Sequence, residues 1–369
     1  MAEQIFSRSF QTELKQASRA RKCQVVNKFW PHLQLNDTTF TESDYGDFFM
    51  AIGKTLQDLH QYRSQFADQV LDSLLATIGE LQQHQGSSKT ALIKEAHKKY
   101  QDVSEDAVAR SVELATRVWL GINVVSRDLF VGSSNPRDRR IEWDNTDSLN
   151  TLIEKQFPHK MLSSVEDEPS FEASFTAVNL KKICRMHIRW TDNLVDHLRL
   201  DGPRGGRTLS IYRQKIVLMN HHKEPRLTAI RKEILEEAIR TLELLFPAGD
   251  RDTRAFLDSE QVHFHRLPPS RIPRAIDLND FKHWRGNLRS LLKVFHGTPE
   301  TFKQTLRDRR NLFQFWSLWC GLFGVLLLTV SFGIVATVYS IRQYNVAVQS
   351  YKLDSMLACM ATPTPSDFC

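Results

Sequence analysis

The sequence predicts a mainly α protein: a helical cytosolic body with a small two-stranded β element, followed by one C-terminal transmembrane helix. Three observations predict it. Asn311 to Ile341 is a run of 31 residues without a charged side chain, and about 20 apolar residues at roughly 1.5 Å rise each suffice to cross a bilayer core. Upstream, apolar residues recur at steps of three and four, the period of an amphipathic helix. After residue 180, Cys184–Trp190 alternates basic and apolar residues and Thr208–Tyr212 has strand character.

The first helix is expected from about Phe10 to Phe29, stopped by Pro31. Thr41 or Ser43 can cap the next, which carries Phe48, Phe49, Ile52, Leu56 and Leu59 on its buried side. Phe66, Val70, Leu74, Leu75 and Ile78 continue the spacing in a third. After a polar loop at Gln85–Ser88, Ser104 opens a helix through Val125, on which Val108, Val112, Ala115, Trp119 and Ile122 recur. Gly132–Arg140 and Met161–Ser170 are loops by composition.

The second loop is expected to divide an N-terminal helical domain (1–165) from a basic α+β subdomain (170–300). In the latter, a helix at Asn193–Leu200 and a turn at Asp201–Gly206 separate the two strands. A long helix covers about Ala229 to Phe246, ended by Pro247 and Gly249. An extended linker, Leu267–Pro273, leads to the last soluble helix, Phe281–Phe295. Residues 301–310 form a basic juxtamembrane segment, 311–341 the span and 342–369 a short tail.

Charge gives the span a direction. The net charge of +6 divides unevenly: residues 1–180 hold 20 Lys/Arg against 25 Asp/Glu, and residues 181–310 hold 27 against 16. Lys293, Lys303, Arg307, Arg309 and Arg310 precede the span, and only Arg342 and Lys352 follow it. The positive-inside rule then places the body in the cytosol, facing an anionic leaflet, and the tail in a lumen or outside. The N-terminus lacks the apolar stretch of a secretory signal, a layout that matches tail-anchored proteins. Cys23 and Cys184 stand without metal-ligand spacing, whereas Cys359 and Cys369 fall in the tail, where an oxidising compartment can pair them.

Several residue groups are candidates for function, each with a structural alternative. On Phe281–Phe295 the apolar residues share a face with Phe281 and Trp284, while Arg285, Arg289 and Lys293 occupy the rest. Such a helix can lie in a membrane interface or cap the core of the body. Asp192, Asp196 and His197 offer acid–base groups, with helix capping as the alternative. Arg204 and Arg207 interleave with glycines in a pattern that can cradle an anion or simply turn the chain. No residue set has zinc-ligand spacing, and no metal or cofactor is expected. Within the span, Thr329, Gly333 and Thr337 recur at four-residue steps, which allows close helix approach and a homodimer through the membrane. Trp316 and Trp319 at one end and Tyr339 at the other fit interfacial aromatic belts.

Four stretches resemble a set of single-pass proteins of filamentous fungi. They are Arg117-Val-Trp-Leu-Gly-Ile-Asn123, Ile188-Arg-Trp-Thr-Asp-Asn-Leu-Val-Asp-His-Leu198, Thr241-Leu-Glu-Leu-Leu-Phe-Pro247 and Asp308-Arg-Arg-Asn-Leu-Phe-Gln-Phe-Trp316. The resemblance implies a fungal source, a helical body and a C-terminal anchor, and carries over no catalytic residue. The expected function is a membrane-anchored interaction or scaffold protein with protein partners. The alternatives are a membrane-tethered enzyme acting on a phosphorylated or acidic small molecule and, more weakly supported, a nuclear-envelope protein binding nucleic acid through the basic half.

Overall fold

In the computed structural model, several helices open on a side chain that caps them. The described residues are 4–100, 102–125, 137–158, 170–203, 206–268, 270, 277–297 and 312–361. The chain forms two units, Met1–Glu300 and Thr301–Cys369. In the first, Ser18 accepts the Arg21 N–H to open α2 (Arg19–Phe29), which separates it from α1 (Phe10–Gln16). The expected single helix from Phe10 to Phe29 is therefore two. Ser104 accepts the Ala107 N–H to open α6 (Glu105–Leu120), following α3 (Gly46–Asp58), α4 (Leu71–Gln83) and α5 (Lys89–His97). Each such cap satisfies an N–H that the helix cannot. Gly121 closes α6 in the left-handed region at φ 63°, where a side chain is disfavoured.

After α7 (Leu149–Gln156) and α8 (Ala177–Lys182) comes a small sheet of three strands, not two. Strands β1 (His187–Thr191) and β3 (Thr208–Tyr212) pair in parallel, in register from His187↔Thr208 to Thr191↔Tyr212. The additional strand, β2 (Leu200–Asp201), pairs antiparallel with β3. Two residues are too few to show an alternation, which is why sequence periodicity misses it. The expected helix at Asn193–Leu200 is a single 3-10 turn, Leu194–Asp196. Leu198 then adopts a left-handed φ of 59°, and the chain enters β2.

The expected division near residue 165 does not separate two units. Residues from both sides share one hydrophobic cluster. Trp30 meets His221 edge-on at 5.7 Å, the His221 Nε2–H reaches the Trp119 carbonyl at 3.0 Å, and the His263 N–H donates to Asp47 at 2.9 Å. Those contacts fix α9 (Lys215–Lys223) and the chain after α11 (Arg251–Ser259) against the N-terminal helices.

Last in this unit is α12 (Arg285–His296), preceded by Phe281–Trp284. A buried carboxylate, Glu237 on α10 (Lys232–Leu245), accepts the N–H groups of Lys282, His283 and Trp284 at 2.6–3.0 Å. The apolar stripe faces inward: Phe281, Trp284, Leu288, Leu291, Leu292 and Phe295 are all buried.

The second unit is described as one helix, α13 (Leu312–Ala361), of 50 residues. Its stretch Trp319–Met360 is long and apolar enough to cross a membrane, and its most apolar 18 residues have a mean hydropathy of 2.2. Helix continues well past Ile341, so the expected short tail is for the most part helical. Cys359 near its end is in a disulfide whose other half lies outside the described residues.

Candidate functional site

The end of α6, the turn after β1 and the end of β3 line a half-open cavity of ≈ 60 Å³ of mixed polar and apolar character, with α3 along one side. Arg117, in the last turn of α6, lines it. Gly121 and Asn123 follow from the chain that leaves α6, Asp192 from the turn after β1, and Tyr212 and Gln214 from the end of β3. The register of the parallel pair sets Thr191 opposite Tyr212, so the residues just past both strand ends converge. Two segments singled out in the sequence, Arg117–Asn123 and Ile188–Leu198, meet here.

The hydrogen bonding of the lining is incomplete in a specific way. Asp192 is held by Arg213, whose Nε and Nη2 donate at 2.7 and 2.6 Å, and by Gln214 Nε2 at 2.8 Å. Asp138 accepts from Arg189 Nη1 at 2.7 Å. Both carboxylates are thus paired. Asn123 spends its amide N–H on the Arg139 carbonyl at 3.0 Å, which leaves its Oδ1 buried without a partner. Gln214 likewise uses its amide nitrogen, and its Oε1 is buried and unpartnered. The Tyr212 hydroxyl is the third such atom. It lies so close to Gly121 that a Cβ there would stand 2.3 Å from the oxygen. Buried polar atoms left unpaired each cost about 1–3 kcal/mol, so three around one cavity require an explanation.

Electrostatics sharpen the picture. Arg117 as a residue is part-buried, but its charged end is desolvated, and this lowers its pKa to about 10 against the pull of Asp58, Asp138 and Asp192. The ion-pair distances place no carboxylate oxygen of a described residue on its guanidinium. Burial pushes the Tyr212 hydroxyl up, so it remains a neutral O–H. Burial also raises the Asp138 carboxyl despite the Arg189 beside it.

The expected acid–base group does not assemble. Of its members only Asp192 lines the cavity, and it is locked by Arg213. Asp196 is fully buried and structural: it accepts the Arg139 N–H at 2.8 Å and Asn193 Nδ2 at 2.8 Å, and it pairs with Arg199. His197 is sealed in the core. Its Nδ1 accepts the Tyr212 N–H at 3.2 Å, so its Nε2–H donates to Thr241 Oγ1 at 2.6 Å, and the Thr241 hydroxyl donates to the Ala238 carbonyl. Burial lowers its pKa to about 3. The apparent acid pair of a helix face arises because Asp192 and Asp196 are four apart, yet no helix lies between them.

Other expected residues are distributed as follows. The carbonyl of Arg207 accepts the His187 N–H at 2.8 Å beside the sheet, away from the cavity lining, and Arg204 lies outside the described residues. Phe281 and Trp284 are core residues, with the Trp284 indole N–H on the His197 carbonyl at 3.0 Å. Their expected place in a membrane interface is corrected by this burial. Arg285 is buried with them, Arg289 is half-buried and Lys293 exposed; Arg307, Arg309 and Arg310 lie outside the described residues. On α13, Trp316 and Tyr339 are exposed, and Trp319 stacks on Phe323 at 5.4 Å. Thr329 and Thr337 donate their hydroxyls to the Val325 and Gly333 carbonyls, both at 2.7 Å. That satisfies both groups within the helix.

Sequence reasoning did not single out Tyr212 and Gln214 as cavity residues, and it met Arg117 and Asn123 only inside a resemblance. One signal was present: Arg117 interrupts an apolar helix end between Ala115 and Trp119. Comparison with known proteins returns no match: no family model, no curated protein and no solved structure is similar to this chain.

Proposed function

We propose that the protein is a single-pass membrane protein whose helical body works in the cytosol as an interaction or scaffold module, without catalysis of its own. The observation that carries this reading is α13, whose stretch Trp319–Met360 has the length and composition of a membrane span. Its large apolar side chains, among them Leu326, Leu327, Phe332 and Ile334, are exposed in the chain on its own, and a lipid phase is the environment that suits them. Orientation follows from the five basic residues before the span against two after it. The disulfide at Cys359 supports an oxidising compartment for the far end, while Cys23 and Cys184 in the body form no disulfide. Against an enzymatic role stands the dispersal of Asp192, His197 and Arg207. The partners under this reading are the anionic leaflet and other proteins, with self-association through α13 as a further element.

Fractionation tests it. Full-length protein should remain in the membrane pellet after alkaline carbonate extraction, and a form ending at residue 310 should move to the soluble fraction. A full-length protein released by carbonate would overturn the anchor. Proximity labelling from the N-terminus should mark cytosolic proteins; labelling confined to lumenal ones would reverse the orientation.

A further inference from the structure

We propose that the protein is a parallel homodimer joined along α13, with a seam that continues past the lipid into residues 342–361. This rests on the reading of α13 as a span and specifies the self-association named with it. Exposure of large apolar side chains is confined to this helix: among the described residues of the body, only Met50 is exposed. Lipid covers such side chains as far as Ile341. Beyond it Tyr344, Tyr351, Leu353, Leu357 and Met360 are still 57–82% exposed, on that reading in water. The body cannot cover them, because the span sets it on the other side of the bilayer. A helix in water takes most of its stability from packing an apolar face, so this stretch calls for a partner already at that place.

The sequence specifies which face meets it. Uncharged, mostly apolar residues recur at alternating steps of three and four, at Ile341, Tyr344, Val348, Tyr351, Ser355 and Ala358. This is the 3.5-residue repeat of helices that supercoil together. Followed back into the span, the same steps reach Ile334, Leu327 and Cys320 without meeting a charge. Arg342, Lys352 and Asp354 all fall off the seam. The other apolar row, Val346, Leu353, Leu357 and Met360, runs back into Arg342 at the lipid edge and ends there. A second copy of the chain is the partner that fits. It crosses the same bilayer at the same depth and in the same direction, so the two repeats meet in register. Of the small-residue face Thr329, Gly333 and Thr337, only Thr337 lies on this seam, so the two faces predict different contacts.

The test is oxidative cross-linking of the full-length chain in membranes with copper phenanthroline. The parent carries Cys320→Ser, Cys359→Ser and Cys369→Ser. Restored Cys320, Val348→Cys and Tyr351→Cys should each give a disulfide-linked dimer at least tenfold faster than Val346→Cys and Ser350→Cys, which the repeat turns outward. Equal rates at all five positions, or the fastest rate at Val346→Cys, overturn the proposal. Uniformly slow reaction also overturns it and leaves the lipid headgroup layer as the cover. Carbonate extraction of the same samples separates the two readings. A retained protein without the seam pattern removes the dimer alone, whereas a released one removes the span as well.

Discussion

Gly121 shows how a single residue can hold two constraints. It ends α6 at φ 63°, and the space where a Cβ would sit is filled by the Tyr212 hydroxyl. An alanine meets the left-handed penalty of about 1–2 kcal/mol together with an overpacking cost of about 1–3 kcal/mol. Gly121→Ala should therefore lower unfolding free energy by about 2–5 kcal/mol in denaturant titration. The loss should be smaller in a Tyr212→Phe background, where the clashing oxygen is gone. Buried histidines give a second residue-scale expectation. His197 and His221 are held neutral by burial, with pKa values lowered to about 3 and about 4. Between those values and the unfolded value near 6.5, the unfolded chain binds more protons, so stability falls as pH falls. Each contributes up to about 1.4 kcal/mol per pH unit. Burial raises Asp68 and Asp138, and these act in the opposite sense at the acid end. Denaturation midpoints should drop from pH 7 to pH 5, and His197→Gln should flatten that slope. An equal slope in the variant would remove His197 as its source. At this scale the sequence was least legible: Asp192, Asp196 and His197 were visible as titratable groups, but each has a partner 15 to 57 positions away, beyond any local pattern.

Among the elements, helices were legible and their ends only in part. Ser104 and the spacing from Val108 to Ile122 mark α6 because capping and the 3.6-residue period are local properties. Strand β2 and the 3-10 turn at Leu194–Asp196 are set instead by tertiary bonds to Asp196 and by pairing with β3, so no local signal announces them. Helix α12 makes the same point through its face. Its amphipathicity fits both a membrane surface and a protein core, and packing decides for the core. Glu237 fixes the entry to that helix by accepting three successive N–H groups. Removing a buried charged acceptor from several donors costs about 2–4 kcal/mol. Glu237→Ala should reduce stability by about that much and increase amide hydrogen exchange at Lys282–Trp284 ahead of the rest of α12. Unchanged exchange there would show that the carboxylate does not anchor the helix start.

For the whole molecule, the long apolar helix was legible because hydrophobic length is a sum over neighbours and needs no tertiary partner. Its true extent was not, since charged residues such as Arg342, Lys352 and Asp354 end an apolar run without ending a helix. At about 1.5 Å per residue, α13 measures roughly 75 Å, against about 30 Å for a hydrocarbon core. It contains no proline, so no chain break absorbs the difference. On the proposed reading, with the apolar stretch up to Ile341 in the bilayer, the 20 residues from Arg342 to Ala361 form a helical stalk of about 30 Å beyond it. The covalent cross-link at Cys359 then sits at a fixed standoff from the lipid surface, as a mark sits on a ruler.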